Sequence, residues 1–193
     1  MAAGVGSYGL WFESGRVCLD LVNTAGPGEQ LGEAPRLREW LAGAGLVPPG
    51  TPLERVGYDW LPAFRALRGD LAELVAAHLR GGPAGEALER VNALALAAPP
   101  VPCAVRGAGG GLVRELRGAG RAAMLAAVAR DAVELLTDPE ALALLRACDG
   151  DGCTRVYLDT SRGHRRRWCS SGLCGNRERV ARHRRRTLAA GSA

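Results

Sequence analysis

Lysine is absent from this chain of 193 residues, so that all 25 basic side chains are arginine. With 27 glycines and abundant alanine, that bias reads as GC-rich coding rather than as a functional signal. No apolar run is long enough to cross a bilayer, which excludes a membrane-spanning helix. Met1 to Gly9 carries neither a basic segment nor a long apolar stretch, so no secretory signal is expected there. The corresponding expectations are a cytoplasmic location, reduced thiols and no membrane partner. Repeats and low-complexity tracts are lacking beyond the alanine bias. Neither a nucleophile–base–acid set nor a phosphate-cradling glycine loop stands out, and the expectation is a binding protein, not an enzyme. Asp149-Gly150-Asp151-Gly152 has the opening of a calcium loop but lacks its distal glutamate, and reads as a turn.

What is present is concentrated near the C-terminus. Cys148-x4-Cys153 and Cys169-x4-Cys174 are separated by fifteen residues. Paired thiolates at this spacing suit a tetrahedral Zn²⁺, because each short loop presents two sulfurs while the middle segment folds back as a hairpin. The competing readings are two disulfides or four unrelated thiols, and the missing signal segment speaks against disulfides. Cys18 and Cys103 lack metal partners at suitable spacing and are expected as small buried hydrophobes.

Charge divides at the same place. Residues 1–153 hold 14 Arg against 18 acidic side chains, a net −4, whereas residues 154–193 hold 11 Arg against Asp159 and Glu178, a net +9. A Zn(Cys)4 centre carries a formal charge of −2, so some arginines serve to balance it, and the rest of the excess is available for a polyanion.

The length allows one domain plus an appendage, or two modest domains, and 47% hydrophobic residues suffice for a core. Val17 to Asn23 is a nearly continuous apolar run, either a buried strand or the first turn of a helix, and it is broken by Ala25-Gly26-Pro27-Gly28. The spacing of Leu37, Trp40 and Leu41 predicts a helix over Pro35 to Ala44, with Gly45 just beyond its end. From Asp59 as N-cap, Leu61 through His78 trace one apolar face, on which His78 reads as a core histidine. A further helix is expected over Ala84 to Ala97 with Leu88, Val91, Leu94 and Ala95 inward. Val101 to Arg106 and Leu112 to Leu116 read as a two-stranded hairpin. Arg121 to Leu136 reads as a long helix, and Asp138-Pro139 as the capped start of a short one.

The fold class that follows is mainly α with a small β-hairpin (α+β). A helical sensor-like domain over 1–146 precedes a zinc finger over 147–193. Within the finger, Thr154 to Leu158 is a strand and Leu173 to Leu188 a final helix, an arrangement of the treble-clef kind. Gly175 is expected to let the backbone aim N–H groups at a thiolate, and Trp168 to cover the metal or to stack on a base. So thin a core makes the metal a source of folding free energy.

The residues around the cysteines resemble a family. Cys148-Asp-Gly-Asp-Gly-Cys153, Val156-Tyr-Leu-Asp-Thr-Ser161, Arg165-Arg-Arg-Trp-Cys-Ser170 and Cys174-Gly-Asn-Arg177 are similar to the CGNR zinc finger. Gly15-Arg-Val-Cys-Leu-Asp-Leu-Val-Asn-Thr24 is similar to the opening of the stress-induced transcription regulator domain that accompanies that finger. Two positions depart from the pattern: Leu158 where an aromatic is expected, and the missing lysine after Arg177. Neither removes a ligand. The resemblance implies a bacterial, DNA-associated protein with a role in stress response.

Several side chains remain to be placed. Arg165, Arg166, Arg167, Arg179, Arg182, Arg184, Arg185 and Arg186 are expected at a nucleic acid, since like charges so close on one helix weaken it unless a polyanion offsets them. Arg177 is expected to pair with Asp159. Asn176 is either a local cap or a reader of adenine, and His164 and His183 are reserve ligands or phosphate contacts. Asp20 and Asn23, polar groups in an apolar run, either tie the N-terminal domain together or line a ligand pocket. The functional expectation is a zinc-dependent DNA-binding transcription regulator, with a sensing or dimerisation domain open to a small-molecule effector. The alternative is an interaction scaffold for protein or RNA with a purely structural finger.

Overall fold

A computed structural model describes residues 9–26 and 28–190, with no side-chain description for 186 and 188–190. Pro27 and residues 1–8, named above, lie outside the described residues. The elements run α1 (Val17–Val22), α2 (Ala34–Gly43), α3 (Leu61–Arg80), α4 (Gly85–Ala95), β1 (Val101–Arg106), β2 (Leu112–Arg117), α5 (Arg121–Leu136), α6 (Pro139–Ala143), β3 (Leu145–Ala147), β4 (Val156–Leu158) and α7 (Cys174–Ala190). The fold is α+β, with two separate antiparallel strand pairs, β1–β2 and β3–β4. No helix among the described residues is long and apolar enough to cross a membrane.

The apolar run at residues 17–22 is a helix, and its alternatives resolve on burial: Cys18, Leu19 and Leu21 all face the core. α1 packs against both α3 and α5, and α4 lies against the same two helices. Arg16, at the N-cap of α1, makes no side-chain cap. The cap comes from α5, where the Asp131 carboxylate accepts the Cys18 N–H at 2.8 Å and forms an ion pair with Arg16, its Oδ1 lying 2.9 Å from the Arg16 Nε. Acceptors for the first amides of a helix contribute about 1 kcal/mol.

α2 ends at a Schellman turn. Gly45 sits at φ +70°, its N–H bonds the Ala42 carbonyl, and the Leu46 N–H bonds that of Leu41. Its Trp40 is fully buried and meets Phe64 of α3 edge-on at 6.0 Å, while Trp60 stacks on the other side at 6.2 Å. α5 buries three alanines, Ala126, Ala129 and Ala132, among Met124, Leu125, Val128 and Leu135. Small side chains there let neighbouring backbones approach closely. α6 starts as predicted, with the Asp138 carboxylate accepting from the Glu140 and Ala141 amides at 2.9 and 3.1 Å.

Four expectations are corrected. Asp59 is not the cap of α3: it lies in a 3-10 turn over Tyr58–Trp60 and receives Arg121 at 3.3 Å. His78, on the last turn of α3, is exposed. On α4 the inward position is Ala87, not Leu88, which is 42% exposed, so the apolar period starts one residue earlier than the larger side chain suggests. Cys103 sits half-exposed on the β1–β2 hairpin, which stands off the core with Val101, Leu112 and Val113 exposed.

Candidate metal centre and basic helix

β3 delivers the chain into the first cysteine loop. The Cys148 N–H bonds the Arg155 carbonyl at 2.9 Å, and the Cys153 N–H closes the turn on Gly150 at 2.9 Å, with Gly152 at φ +64°. The Asp149 N–H bonds the Arg167 carbonyl at 2.8 Å and so brings the second loop alongside. Cys174 then opens α7. The four Sγ atoms all lie within 4.8 Å of one another. Cys153 and Cys169 are 3.9 Å apart, Cys169 and Cys174 3.6 Å. Four sulfurs around a tetrahedral ion with metal–sulfur bonds of about 2.3 Å stand about 3.8 Å apart. The donor set therefore fits one metal ion with every position taken by sulfur.

The surrounding donors are arranged for anionic sulfur. The Cys148 Sγ accepts N–H groups from Cys169 at 3.2 Å and Gly150 at 3.4 Å. The Cys174 Sγ accepts the Arg177 guanidinium at 3.0 Å, and Arg155 approaches the Cys169 Sγ at 3.9 Å. Burial pushes the Cys169 and Cys153 thiols up, reinforced by neighbouring sulfur. At Cys174 burial acts the same way, but the Arg177 hydrogen bond and the adjoining thiols outweigh it and bring the pKa below the ordinary thiol value. Thiols held this close resist joint ionisation until a cation lies between them. Gly150 has no room for a side chain: a Cβ there would stand 3.1 Å from the Cys174 Sγ and 3.4 Å from that of Cys148.

A small apolar shell surrounds the sulfurs, made by Trp11, Tyr157, Cys148, Cys169 and Cys174, with Trp168 partly buried against it. Trp11 comes from the N-terminal segment, and Arg155 lies over its ring at 5.0 Å. Tyr157 is fully buried and its hydroxyl donates to the Arg166 carbonyl at 2.7 Å. Alternation along β4 gives its two faces different neighbours. Tyr157 joins the sulfur shell, while Val156 and Leu158 belong to the same buried cluster as the helices.

The free side of β4 is completed by the N-terminal segment. The Asn23 side chain donates to the Val156 carbonyl at 2.9 Å and accepts the Val156 N–H at 2.9 Å, while the Leu158 N–H bonds the Ser14 carbonyl at 2.8 Å. Asp20 is 6% exposed and its Oδ1 lies 2.6 Å from the Ser14 Oγ, which is also 2.8 Å from the Arg16 carbonyl. Burial pushes the Asp20 carboxyl up to about 6. Both side chains are thus hydrogen-bonded inside the fold.

Residues 15–139 match the family described as "Putative stress-induced transcription regulator", ABATE. The chain belongs to the ABATE family. Residues 145–187 match the CGNR zinc finger, and a comparison with curated proteins finds no match. The finger match spans β3 to α7 and takes in all four clustered cysteines.

The basic residues of the CGNR segment divide into two groups. Arg166 turns inward: its guanidinium lies 4.5 Å over Tyr157, its Nε–H bonds the Trp168 carbonyl at 2.8 Å, and its Nη2 reaches the Cys169 carbonyl. Through these contacts it holds the second loop in place. Arg167 pairs with Asp149 at 2.9 Å and lies over Trp168 at 5.5 Å. Arg165 is exposed, as are Arg179, Arg182, Arg184 and Arg185 along α7 with Asn176 among them; the Arg186 side chain lies outside the described residues. Arg182, Arg184 and Arg185 have no hydrogen-bond or ion-pair partner among the described residues.

Two further expectations are corrected. Arg177 bonds Cys174, not Asp159; the Asp159 carboxylate instead accepts N–H groups from Ser161 at 3.0 Å and Arg166 at 2.8 Å. The Gly175 N–H serves the Ser170 carbonyl at 2.9 Å and not a thiolate. His164 places its Nδ1 2.8 Å from the Asp159 carbonyl. Sequence reasoning missed Trp11, Arg155 and Tyr157. The 3-residue spacing of Cys174 and Arg177 on a helix was a readable signal for their contact.

Proposed function

We propose that this chain is a DNA-binding transcription regulator whose finger holds Zn²⁺ at Cys148, Cys153, Cys169 and Cys174, and whose basic helix α7 meets the phosphate backbone. The observation that carries the reading is the exposure of Arg182, Arg184 and Arg185, without partners among the described residues, on a helix anchored at the cysteine cluster by Cys174. Arginines that balance the sulfur charge, Arg177 and Arg155, are distinct from these. The helical domain serves as the sensing or dimerisation unit. A centre with sulfur at all four positions leaves no place for a reacting water, which supports a binding role and not an enzymatic one.

The test is fluorescence anisotropy of the full zinc-loaded chain with a labelled duplex at two salt concentrations. Neutralising phosphates releases counterions, so affinity should fall steeply with salt, and replacing Arg182 and Arg184 by Ala should flatten the slope by about one unit per lost contact. A chain with full zinc content and no salt-sensitive binding defeats the reading. It would favour an acidic protein as the partner of the arginines.

A further inference from the structure

The arginines of α7 avoid one face. A helix turns about 100° per residue, and on that wheel Cys174, Glu178 and Ala181 share one arc and are buried or half-buried, with Arg185 exposed on the same arc further along. Asn176, Val180, His183 and Thr187 fall on the arc opposite, one above the other at spacings of four, three and four residues, and all are exposed, Asn176 in the first turn also bordering a cleft shared with Gly152 to Arg155. Arg179 and Arg184 lie about 70° to either side of that stripe. We infer that this stripe is a base-reading face. α7 enters the major groove of DNA with Asn176, Val180, His183 and Thr187 toward the base edges, and with Arg179 and Arg184 toward the phosphates of the two groove walls. This rests on the DNA-binding reading above and assigns it a mode, sequence-specific readout.

Three features favour it. A helix with its side chains is about 10–12 Å across, which matches a major groove about 12 Å wide. In that position positive charge is wanted on both flanks and unwanted at the centre, the distribution α7 shows. Val180 is 43% exposed, and a β-branched apolar side chain gains nothing from water and is a weak helix former. Against bases it meets a thymine methyl, while an asparagine amide pairs with N6 and N7 of adenine and a threonine serves either base type. The site read is accordingly one containing A·T pairs.

A second copy of the chain fits the stripe less well. Two such helices packed along it would bring the Arg179 and Arg184 side chains of both copies to one seam, where like charges repel, and Asn176, His183 and Thr187 offer little apolar area in return.

The experiment is selection of the full zinc-loaded chain on a randomised duplex pool, followed by affinities for the selected and a scrambled duplex. The ratio of the two is the readout. The exposed triple variant Asn176→Ala, Val180→Ala, His183→Ala should keep its zinc and helix content and lose at least about fivefold of that ratio. Arg179→Ala with Arg184→Ala should lower both affinities by a similar factor and leave the ratio standing. A selection that returns no preferred sequence overturns the inference, as does a triple variant whose ratio is intact. If the triple variant keeps the ratio while a dimer becomes a monomer, the stripe is a self-association face. Absence of any salt-sensitive binding is a separate outcome, which defeats the DNA reading itself.

Discussion

Asn23 and Val156 are joined by two hydrogen bonds of 2.9 Å, through which one side-chain amide takes the place of a neighbouring strand along β4. Truncating Asn23 leaves both the N–H and the carbonyl of Val156 buried without partners. Such groups cost about 1–3 kcal/mol each, so Asn23→Ala should lower the melting temperature markedly. Differential scanning calorimetry checks this, and an unchanged melting temperature would show that water satisfies Val156.

Ser14 and Asp20 set a pH dependence. The Ser14 hydroxyl and N–H both donate to the Asp20 Oδ1, at 2.6 and 3.3 Å, and favour the carboxylate, but burial outweighs them. The folded pKa is about 6 against an ordinary 3.8, raised chiefly by burial. The folded state therefore binds the proton more tightly than the unfolded one. The stabilisation is complete below about pH 4 and is lost as pH rises through 6. In Asp20→Asn that slope should disappear, as urea titrations at pH 4.5 and pH 7 would show.

Arg177 donates to the Cys174 sulfur at 3.0 Å. Groups that orient and stabilise metal-bound ligands are typically worth 10–100-fold in metal affinity. Arg177→Met should weaken zinc binding within that range while leaving four cysteine ligands in place. Competition with a chromophoric chelator measures it, and an unaltered zinc affinity would make the contact incidental.

One Zn²⁺ per chain is expected by elemental analysis, and none in Cys169→Ser. Chelation should also alter tryptophan emission, because Trp11 and Trp168 pack on the cysteine cluster. A full emission spectrum recovered on adding zinc back would tie the change to the metal.

How much of this was legible depended on distance along the chain. Asp138 with Pro139, and Gly45 after α2, act on amides and carbonyls a few residues away, so their elements were readable as written. The cysteine pairs were readable for the same reason. Asn23 and Val156 are 133 positions apart, and no local pattern specifies their meeting. Arg166 lies in a run of three arginines that looks solvated, yet its fate was set by the ring of Tyr157 nine residues earlier. On α4 the larger Leu88 drew the apolar face away from Ala87, because hydropathy says nothing of the space between two helices.

β4 belongs to two interiors at once, with Tyr157 toward the sulfurs and Val156 and Leu158 toward the helices. Occupancy of the cysteine cage and integrity of the helical layer are then linked quantities, and linkage runs both ways. Free metal in excess of its dissociation constant raises the stability of the whole chain by mass action. By the same reciprocity, a ligand of the helical layer whose affinity changes when the metal binds changes the hold on the metal by an equal factor, which would make chelator resistance a gauge of events at the far end of the molecule.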